Sequence, residues 1–279
     1  MKYKLCVYSI WEAGKRVDAE GNPHQEDDMY PAHGCATDKD RLFILCDGMG
    51  GHEAGEVASA TVCEAMSHSI LSATPDPEGD FTDELFLSAL KAAFSALDEK
   101  DDGRAIKKMG TTMTLLKLHR GGCLIAHMGD SRVYHIRPAS KAKDTRILFR
   151  TEDHSLVNDL VKIGELTPEE AKHSPRRNVI TRALQPHMDY QPKADLYHTS
   201  DIQAGDFFYL CTDGMLENMD DEQLAYYFSS EAGDDQQKVN ALIEATKQNR
   251  DNHSALIVHI LEVDRRRFLD YLLPKRQRH

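Results

Sequence analysis

The chain has 279 residues and a formal net charge of −12, from 46 acidic and 34 basic residues. Its hydrophobic content of 41% and charged content of 29% are typical of a soluble globular protein. The acidic balance argues against general binding to nucleic acid or to an anionic membrane, and it suits a protein that binds cations. A chain of this length can bury a large core as a single domain.

No segment predicts export or membrane insertion. The start, MKYKLCVYSIW, has an apolar stretch too short and too interrupted for a signal sequence, and no apolar run approaches the length of a membrane span. We therefore predict a cytoplasmic protein. The cysteines form no CxxC pair and mostly lie within apolar runs, which favours reduced core residues over zinc ligands or disulfides. They are Cys6, Cys35, Cys46, Cys63, Cys123 and Cys211.

The first hundred or so residues predict strands followed by two helices. Residues 3–9 alternate in strand fashion, and 41–46 (RLFILC) form a nearly continuous apolar run, which is typical of a buried strand. Apolar residues then recur at helical spacing over 52–71, and again over 83–100 after a break at TPDPEGD.

From residue 111 the pattern changes to strands. Apolar runs at 111–118, 123–129, 132–137 and 146–150, with a Gly121-Gly122 hairpin signal between the first two, predict an antiparallel meander.

Residues 152–200 are polar and predict only one helical piece, at 155–166. A loop-rich segment of this length in a compact domain is usually functional. A strand at 206–211, helical patterns over 221–249 and a final strand at 255–263 complete the chain. Strands and helices come in blocks joined by hairpins rather than by βαβ crossovers, so the fold class is α+β, with no repeat and no domain linker.

Four aspartates lie where apolar, strand-like runs stop or start. Asp47, Asp130 and Asp213 follow such runs, and Asp251 precedes the last one. Carboxylates are costly to bury alone, so a cluster of them on a β core needs cations, and all-oxygen ligation favours Mg²⁺ or Mn²⁺ over zinc. Asp-Gly and Gly-Asp are also common turn dipeptides, so each aspartate taken singly is equally compatible with turn chemistry.

Eight short motifs in a fixed order give a more specific signal. The series closely resembles the metal-dependent, 2C-type protein serine/threonine phosphatase family over roughly residues 3–261. In chain order the motifs are QED (25–27), DGMGGHEAGEVAS (47–59), MGTTMTLL (109–116), HMGDSRVY (127–134), TEDHS (151–155), NVITRAL (178–184), CTDGMLE (211–217) and DNHSALIV (251–258).

The resemblance implies two stacked antiparallel β-sheets with helix pairs on both outer faces, and a binuclear Mn²⁺ or Mg²⁺ centre at one end. Asp47 would bridge the ions, and Asp213 and Asp251 would complete one of them. The Gly48 carbonyl and the acidic residues of QED would complete the other. Those acidic residues are Glu26 and Asp27. The resemblance also implies that Asp130, with Asp213, binds a weaker third ion and that His52 is a general acid.

Several of these residues have a plainer interpretation. One or two of the adjacent acidic residues Glu26, Asp27 and Asp28 would then be solvated surface charges. Asp130 would be a turn residue paired with Arg132. His52 would be an ordinary residue of the first helical turn.

The chain departs from the family at the phosphate-binding arginine. The family places it four residues before the glutamate of QED, where this chain has Asn22. Arg16 could supply the guanidinium if DAEGNPH forms a small insertion that loops outward, because the arginine fork binds phosphate oxygens bidentately. Otherwise capture would depend on the metals or on a flap arginine: Arg176, Arg177 or Arg182.

The resemblance implies hydrolysis of phosphoserine and phosphothreonine in proteins, in opposition to a serine/threonine kinase. We expect residues 1–264 to form the catalytic domain, with 152–200 as a substrate-facing flap and 265–279 as a basic tail. We also expect a monomer with phosphoprotein substrates and no nucleic-acid or membrane partner. A pseudophosphatase that acts as a binding module is the main alternative, motivated by Asn22. A metal nuclease or small-molecule phosphohydrolase is a third.

Overall fold

The structure is a computed structural model that describes residues 1–18, 20–50, 53–101 and 109–265. Its strands are β1 (Lys2–Glu12), β2 (Asp27–Tyr30), β3 (Leu42–Met49), β4 (Gly110–Thr111), β5 (Met113–His119), β6 (Gly122–Met128), β7 (Arg132–Arg137), β8 (Arg146–Arg150), β9 (Asp195–Thr199), β10 (Phe207–Cys211) and β11 (His253–Asp264). Its α-helices are α1 (Glu53–Ala73), α2 (Asp83–Lys100), α3 (Leu156–Lys162), α4 (Pro168–His173), α5 (Asp221–Phe228) and α6 (Asp235–Thr246).

Two antiparallel sheets are formed by these strands. In the first the order is β1-β11-β10-β7-β8, and in the second it is β2-β3-β5-β6-β9, with β4 paired to the end of β3. The long β1 and β11 pair along their whole length, from Lys2 opposite Asp264 to Glu12 opposite His253. Every ladder in the described residues is antiparallel, which confirms the predicted α+β class.

The two sheets stack face to face over one apolar layer. Alternate residues of facing strands fill it, as period-2 side-chain geometry requires. Leu45 and Leu116 enter from the second sheet, and Phe208 and Val258 enter from the first. All four side chains are fully buried, and each contributes about 1.5–3 kcal/mol of hydrophobic stabilisation.

A helix pair covers the outer face of each sheet. α1 and α2 pack on the second sheet through residues such as Met66 and Phe94, and α5 and α6 pack on the first through Phe228 and Leu242. Side-chain caps start α2, α5 and α6: the Thr82 hydroxyl accepts from the Leu85 N–H, and Asp220 and Asp234 open capping boxes for α5 and α6. The predicted sandwich with helix pairs on both faces is confirmed.

The predicted meander from residue 111 is wrong as a single sheet. The β5–β6 hairpin lies in the second sheet and β7–β8 in the first, so the chain crosses between sheets at Gly129-Asp130-Ser131. Apolar alternation is the same in either sheet, so it could not reveal this crossing.

The segment predicted as a flap, 152–200, has more regular structure than expected. It contains α3 as predicted, but also α4, and it ends in β9, which is an edge strand of the second sheet. Residues 195–199 therefore belong to the sandwich rather than to a flap. β9 escaped prediction because its sequence, DLYHT, has few apolar residues and none of the five is fully buried.

All six cysteines are free thiols, as predicted, although Cys35 is exposed rather than in the core. No described helix has the length and apolarity to cross a membrane. In the basic tail predicted at 265–279, the residues after Arg265 lie outside the described ones. The Arg265 guanidinium donates to the Ile202 carbonyl over 2.7 Å.

Candidate metal centre

Acidic side chains from both sheets converge at one end of the sandwich. Asp27 of β2 lies directly opposite Asp47 of β3, Asp213 begins a 3₁₀ turn just after β10, and Asp251 precedes β11. Burial raises the pKa of Asp47 well above its usual range, and the charges of Asp27, Asp213, Asp130 and Asp251 raise it further. The five aspartates therefore form one electrostatically coupled cluster.

The backbone of Asp47 is fixed by two threonines of the MGTT motif. The Asp47 N–H donates to the Thr112 hydroxyl over 3.0 Å, and the Asp47 carbonyl accepts from the Thr112 N–H and the Thr111 hydroxyl, each over 2.9 Å. Both threonines are fully buried. The sequence analysis placed both only within the strand run at 111–118, and the hydrogen bonds of their hydroxyls explain why threonine rather than valine occupies these positions.

Gly48 allows the backbone to approach closely beside Asp47. Its N–H donates to the Glu26 carbonyl over 3.1 Å. A Cβ at Gly48 would lie 2.2 Å from the Gly55 carbonyl oxygen and 2.5 Å from the Glu26 carbonyl oxygen, distances that no real side chain adopts. The last residues of β3 therefore require glycine at this position.

Asp27 is buried and incompletely bonded. Its Oδ2 accepts from the Thr212 hydroxyl over 3.1 Å, while its Oδ1 is buried and has no hydrogen-bond partner among the described residues. Burial and the charge of Asp213 raise the pKa of Asp27 to about 8. Glu26 beside it is 2% exposed, so neither residue is a solvated surface charge.

Asp130 lies in the crossing between the sheets and faces the same cluster. It is 9% exposed, and its Oδ1 is buried with no hydrogen-bond partner in the part of the chain that the structure describes. Burial and the charge of Asp213 raise its pKa to about 8. The plainer interpretation is right that Asp130 lies in a turn but wrong that it pairs with Arg132. Arg132 binds Asp153 instead, through two hydrogen bonds of 2.6 and 2.7 Å.

Asn252, which the sequence analysis did not single out, ties the loops of the cluster together. Its side-chain nitrogen donates to the carbonyls of Ala13 and His24, each over 2.8 Å, and its oxygen accepts from the Glu26 N–H over 2.9 Å. The residue is 3% exposed. The three contacts need two donors and one acceptor, which the asparagine amide supplies on a short side chain. The sequence signal for this residue was its position in the DNHS motif.

Arg16 reaches the cluster, whereas Asn22 does not. The Arg16 Nη1 lies 2.7 Å from the Glu26 Oε2, and its Nε lies 2.6 Å from the Asp251 Oδ1. Residues 17–18 and 20–23 belong to a small outward loop, which is closed by a bridge between Val17 and Pro23. The exposed Asn22 side chain donates to Asp18 within that loop. This is the geometry that the insertion hypothesis required.

The other predicted residues are the candidate general acid and the three candidate flap arginines. His52 lies outside the described residues. Arg176 and Arg177 are exposed on the segment that follows α4, and the Arg182 Nη1 donates to Asp195 over 2.9 Å.

The cluster has the properties of a divalent-cation site. Its donors are carboxylate oxygens, which Mg²⁺ and Mn²⁺ prefer. Burying a carboxylate oxygen without a partner costs several kcal/mol, as an order of magnitude, unless a cation or a proton compensates it. The Asp27 and Asp130 oxygens are two such atoms, and the raised pKa values have the same cause. The residues present therefore fit such ions.

Comparison with known proteins gives consistent matches. The family model described as protein phosphatase 2C matches residues 13–253. The serine/threonine protein phosphatase PstP of Mycobacterium tuberculosis is 36% identical over 185 residues, which cover 66% of this chain and 33% of PstP. The protein phosphatase PhpP of Streptococcus pneumoniae is 34% identical over 178 residues, which cover 64% of this chain and 68% of PhpP. The match thus spans about a third of PstP and two thirds of PhpP.

A solved structure matches over nearly the whole chain. The crystal structure of the PstP catalytic domain in complex with two manganese ions has a TM-score of 0.71 and 28% identity to this chain. The match covers 94% of this chain and 100% of that one.

Proposed function

Because the chain belongs to the protein phosphatase 2C family, we propose that it hydrolyses phosphoserine and phosphothreonine in proteins, using Mn²⁺ or Mg²⁺. The observation that carries the proposal is the buried carboxylate cluster around Asp47, in which one oxygen each of Asp27 and Asp130 has no hydrogen-bond partner within residues 1–18, 20–50, 53–101 and 109–265. The manganese ions of the PstP catalytic domain, which has the same fold, support a binuclear centre.

We assign the metal ligands from the positions of the strands and loops that carry them. Asp47 lies opposite Asp27 and would bridge two ions. The Gly48 carbonyl, Asp27 and Glu26 would complete one ion. Asp213 and Asp251 would complete the other, and Asp130 with Asp213 would hold a weaker third. When bound, such ions neutralise the phosphate and acidify a water for in-line attack.

Arg16 is proposed to bind the phosphate group of the substrate. Its contacts with Glu26 and Asp251 use one N–H on each of its three nitrogens. The guanidinium has five N–H donors, so both terminal nitrogens retain an N–H for phosphate oxygens. The side chain is 45% exposed, which leaves it open to a ligand. Its two carboxylate partners would hold the fork beside the ions.

The proton for the leaving serine or threonine oxygen would come from His52, because histidine has the pKa range for general acid work near neutrality. This assignment rests on the DGMGGH motif alone. The substitution His52→Gln would keep the approximate size of the side chain and remove its ability to deliver a proton.

The remaining features of the proposal concern partners and location. We propose phosphorylated proteins as substrates, an opposing serine/threonine kinase, a monomer and a cytoplasmic location. The net charge of −12 is unfavourable for nucleic acid or anionic membranes as partners.

A pseudophosphatase is the alternative from another functional class, and Asn22 was its motive. The contacts of Arg16 weaken the case for a pseudophosphatase, because they place a guanidinium beside the carboxylate cluster although Asn22 occupies the expected arginine position. A protein without metals would also retain the repulsion among five coupled aspartates for no gain.

Substrate preference tests the proposal. Phosphate release should be measured from a phosphothreonine peptide, a nucleotide and DNA, first with Mn²⁺ and then with EDTA. We expect metal-dependent release that is fastest from the peptide. Preference for the nucleotide or DNA would favour a phosphohydrolase or nuclease, and absence of release with Mn²⁺ bound would favour the pseudophosphatase.

A further inference from the structure

A histidine and aspartate cluster lies next to the crossing that carries Asp130, and the proposed reaction does not use it. His127 of β6 stacks on His154 with ring centroids 4.4 Å apart, and the His154 Nε2 lies 3.2 Å from the Asp195 Oδ2. His154 is 5% exposed and belongs to the TEDHS motif. Asp195 is the first residue of the edge strand β9.

The hydrogen bonds of His154 define which ring nitrogen carries its proton. The Gly129 N–H donates to the His154 Nδ1 over 3.1 Å, so Nδ1 must be unprotonated. In a neutral imidazole the proton is then on Nε2, where it can donate to the Asp195 carboxylate. Asp195 thus selects the tautomer that can accept from Gly129.

The same histidine holds both polar groups of Gly129. Its own backbone N–H donates to the Gly129 carbonyl over 2.9 Å. Gly129 has a φ of +111°, and a Cβ there would lie 2.6 Å from the Thr112 side chain, so the turn needs glycine and external support. The peptide that carries Asp130 is therefore fixed on one side by His154.

Asp195 also connects this arrangement to the segment after α4. The Arg182 Nη1 donates to its other oxygen over 2.9 Å, and the Thr181 N–H donates to the His154 carbonyl over 2.8 Å. His154 therefore touches both the Asp130 turn and the chain that leads into β9.

A metal ion on the cluster itself is a poor fit. One ligand atom from each of His127, His154 and Asp195 lies within 4.8 Å of the others, a spacing that an ion could span. An ion on the His154 Nε2 would force the proton onto Nδ1, against the Gly129 N–H. The Arg182 guanidinium, 3.2 Å from that Nε2, would also repel a cation.

We propose that His154, oriented by Asp195, is a positioning residue that holds the Gly129–Asp130 peptide so that the Asp130 carboxylate faces the metal centre. This inference rests on the proposed function for the role of Asp130 as a ligand. Its geometric part, the tautomer and the bond to Gly129, does not depend on any activity.

The tautomer is tested first, by ¹⁵N NMR of the imidazoles in metal-free protein. We expect His154 to be neutral with the proton on Nε2, and its Nδ1 to show a hydrogen-bonded shift. The Asp195→Ala variant should weaken that preference. A proton on Nδ1 in the wild type would overturn the inference.

The effect on the metal centre is tested by calorimetric Mn²⁺ titration without substrate. His154→Ala should weaken the lowest-affinity Mn²⁺ site about tenfold, in line with other residues that support metal ligands. His154→Asn places an acceptor oxygen near the Nδ1 position and should recover most of the affinity. The matched control is His198→Ala, which removes the histidine of β9 from its exposed pair with Asp83.

A double-mutant cycle separates positioning from general destabilisation. If His154 acts through Asp130, then His154→Ala should cost no further Mn²⁺ affinity in an Asp130→Asn background. The inference would be overturned if the losses of Mn²⁺ affinity from the two substitutions were additive. It would also be overturned if His154→Asn kept the wild-type Tm without metal but failed to recover Mn²⁺ affinity. These outcomes are distinct from failure of the proposed function, in which the wild type binds Mn²⁺ but releases no phosphate. If His154→Ala does not fold, the inference is still tested by Mn²⁺ titration of His154→Asn and by the His154 tautomer in the wild type and in Asp195→Ala.

Discussion

The Arg16 Nε lies 2.6 Å from the Asp251 Oδ1, although 235 positions separate the two residues in the chain. The contact joins the loop after β1 to the loop before β11 at the carboxylate cluster. A guanidinium therefore stands beside the proposed ions even though the expected position in the family motif holds Asn22.

Replacement of Arg16 should affect substrate capture more than metal binding. We expect Arg16→Ala to raise the KM for a phosphothreonine peptide by about tenfold or more, because a charge-assisted bidentate contact is lost. Arg16→Lys should recover only part of it, since an ammonium lacks the planar fork. Steady-state kinetics at saturating Mn²⁺ measure this.

Lys15→Ala is the matched control for Arg16, because it removes an adjacent exposed positive charge. It should leave the KM unchanged. A KM that rises equally in both variants, or that does not rise in Arg16→Ala, would assign phosphate capture to the metals or to the arginines after α4.

Substitution of Gly48 should destabilise the end of β3. In Gly48→Ala the new methyl group would lie 2.2 Å from the Gly55 carbonyl oxygen, and backbone cannot yield as a flexible side chain can. We expect a loss of about 1–3 kcal/mol in the free energy of unfolding, measured by urea denaturation. Gly121→Ala is the control, since the nearest atom to its methyl group belongs to the movable His119 ring, at 3.1 Å. Equal effects of the two substitutions would contradict the close approach at Gly48.

Removal of metal should make stability fall as pH rises toward 8. Burial raises the pKa of Asp27 and of Asp130 to about 8, against 3.8 for an ordinary aspartate. A carboxyl with a raised folded-state pKa contributes stability that is complete below its unfolded pKa and is lost as pH rises through the folded one. Buried histidines such as His127, with a pKa of about 4, act oppositely below about pH 6.5. The window for the measurement is therefore about pH 6.5 to 8.

In that window we expect the Tm in EDTA to fall with rising pH, and Asp27→Asn to flatten the dependence. With Mn²⁺ the trend should reverse, because the ligands must lose their protons to bind the ion. Asp27→Asn should also reduce the gain in Tm that Mn²⁺ produces. A metal-free Tm that rises across this window in the wild type would contradict the raised pKa values.

The elements that the sequence predicted well are those with a strong local signal. α2 occupies residues 83–100 as predicted, because a Thr82 cap precedes a regular apolar stripe that ends in charged residues. β2 and β9 were missed because DDMY and DLYHT lack apolar periodicity. Their positions depend on partners elsewhere in the chain, β3 for one and β6 for the other.

The candidate site was predicted for a different reason, namely the order of its motifs. Asp27, Asp47 and Asp213 come together as the resemblance implied, because Asp27 begins β2, Asp47 lies opposite it near the end of β3, and Asp213 follows β10 by two residues. The motif DNHS contains Asn252, but the contacts of the supporting polar residues could not be predicted. The roles of Thr112 and Asn252 consist of hydrogen bonds to backbone groups far away in the chain, which no local pattern encodes.

The most direct test of the account is hydrolysis of a phosphothreonine peptide by wild type and Asp213→Asn, with Mn²⁺ and with EDTA. Asp38→Asn, which alters an exposed aspartate, is the control for loss of one negative charge. The account predicts Mn²⁺-dependent phosphate release that falls at least about a hundredfold in Asp213→Asn and is unchanged in Asp38→Asn. An unchanged rate in Asp213→Asn with full metal occupancy would contradict it.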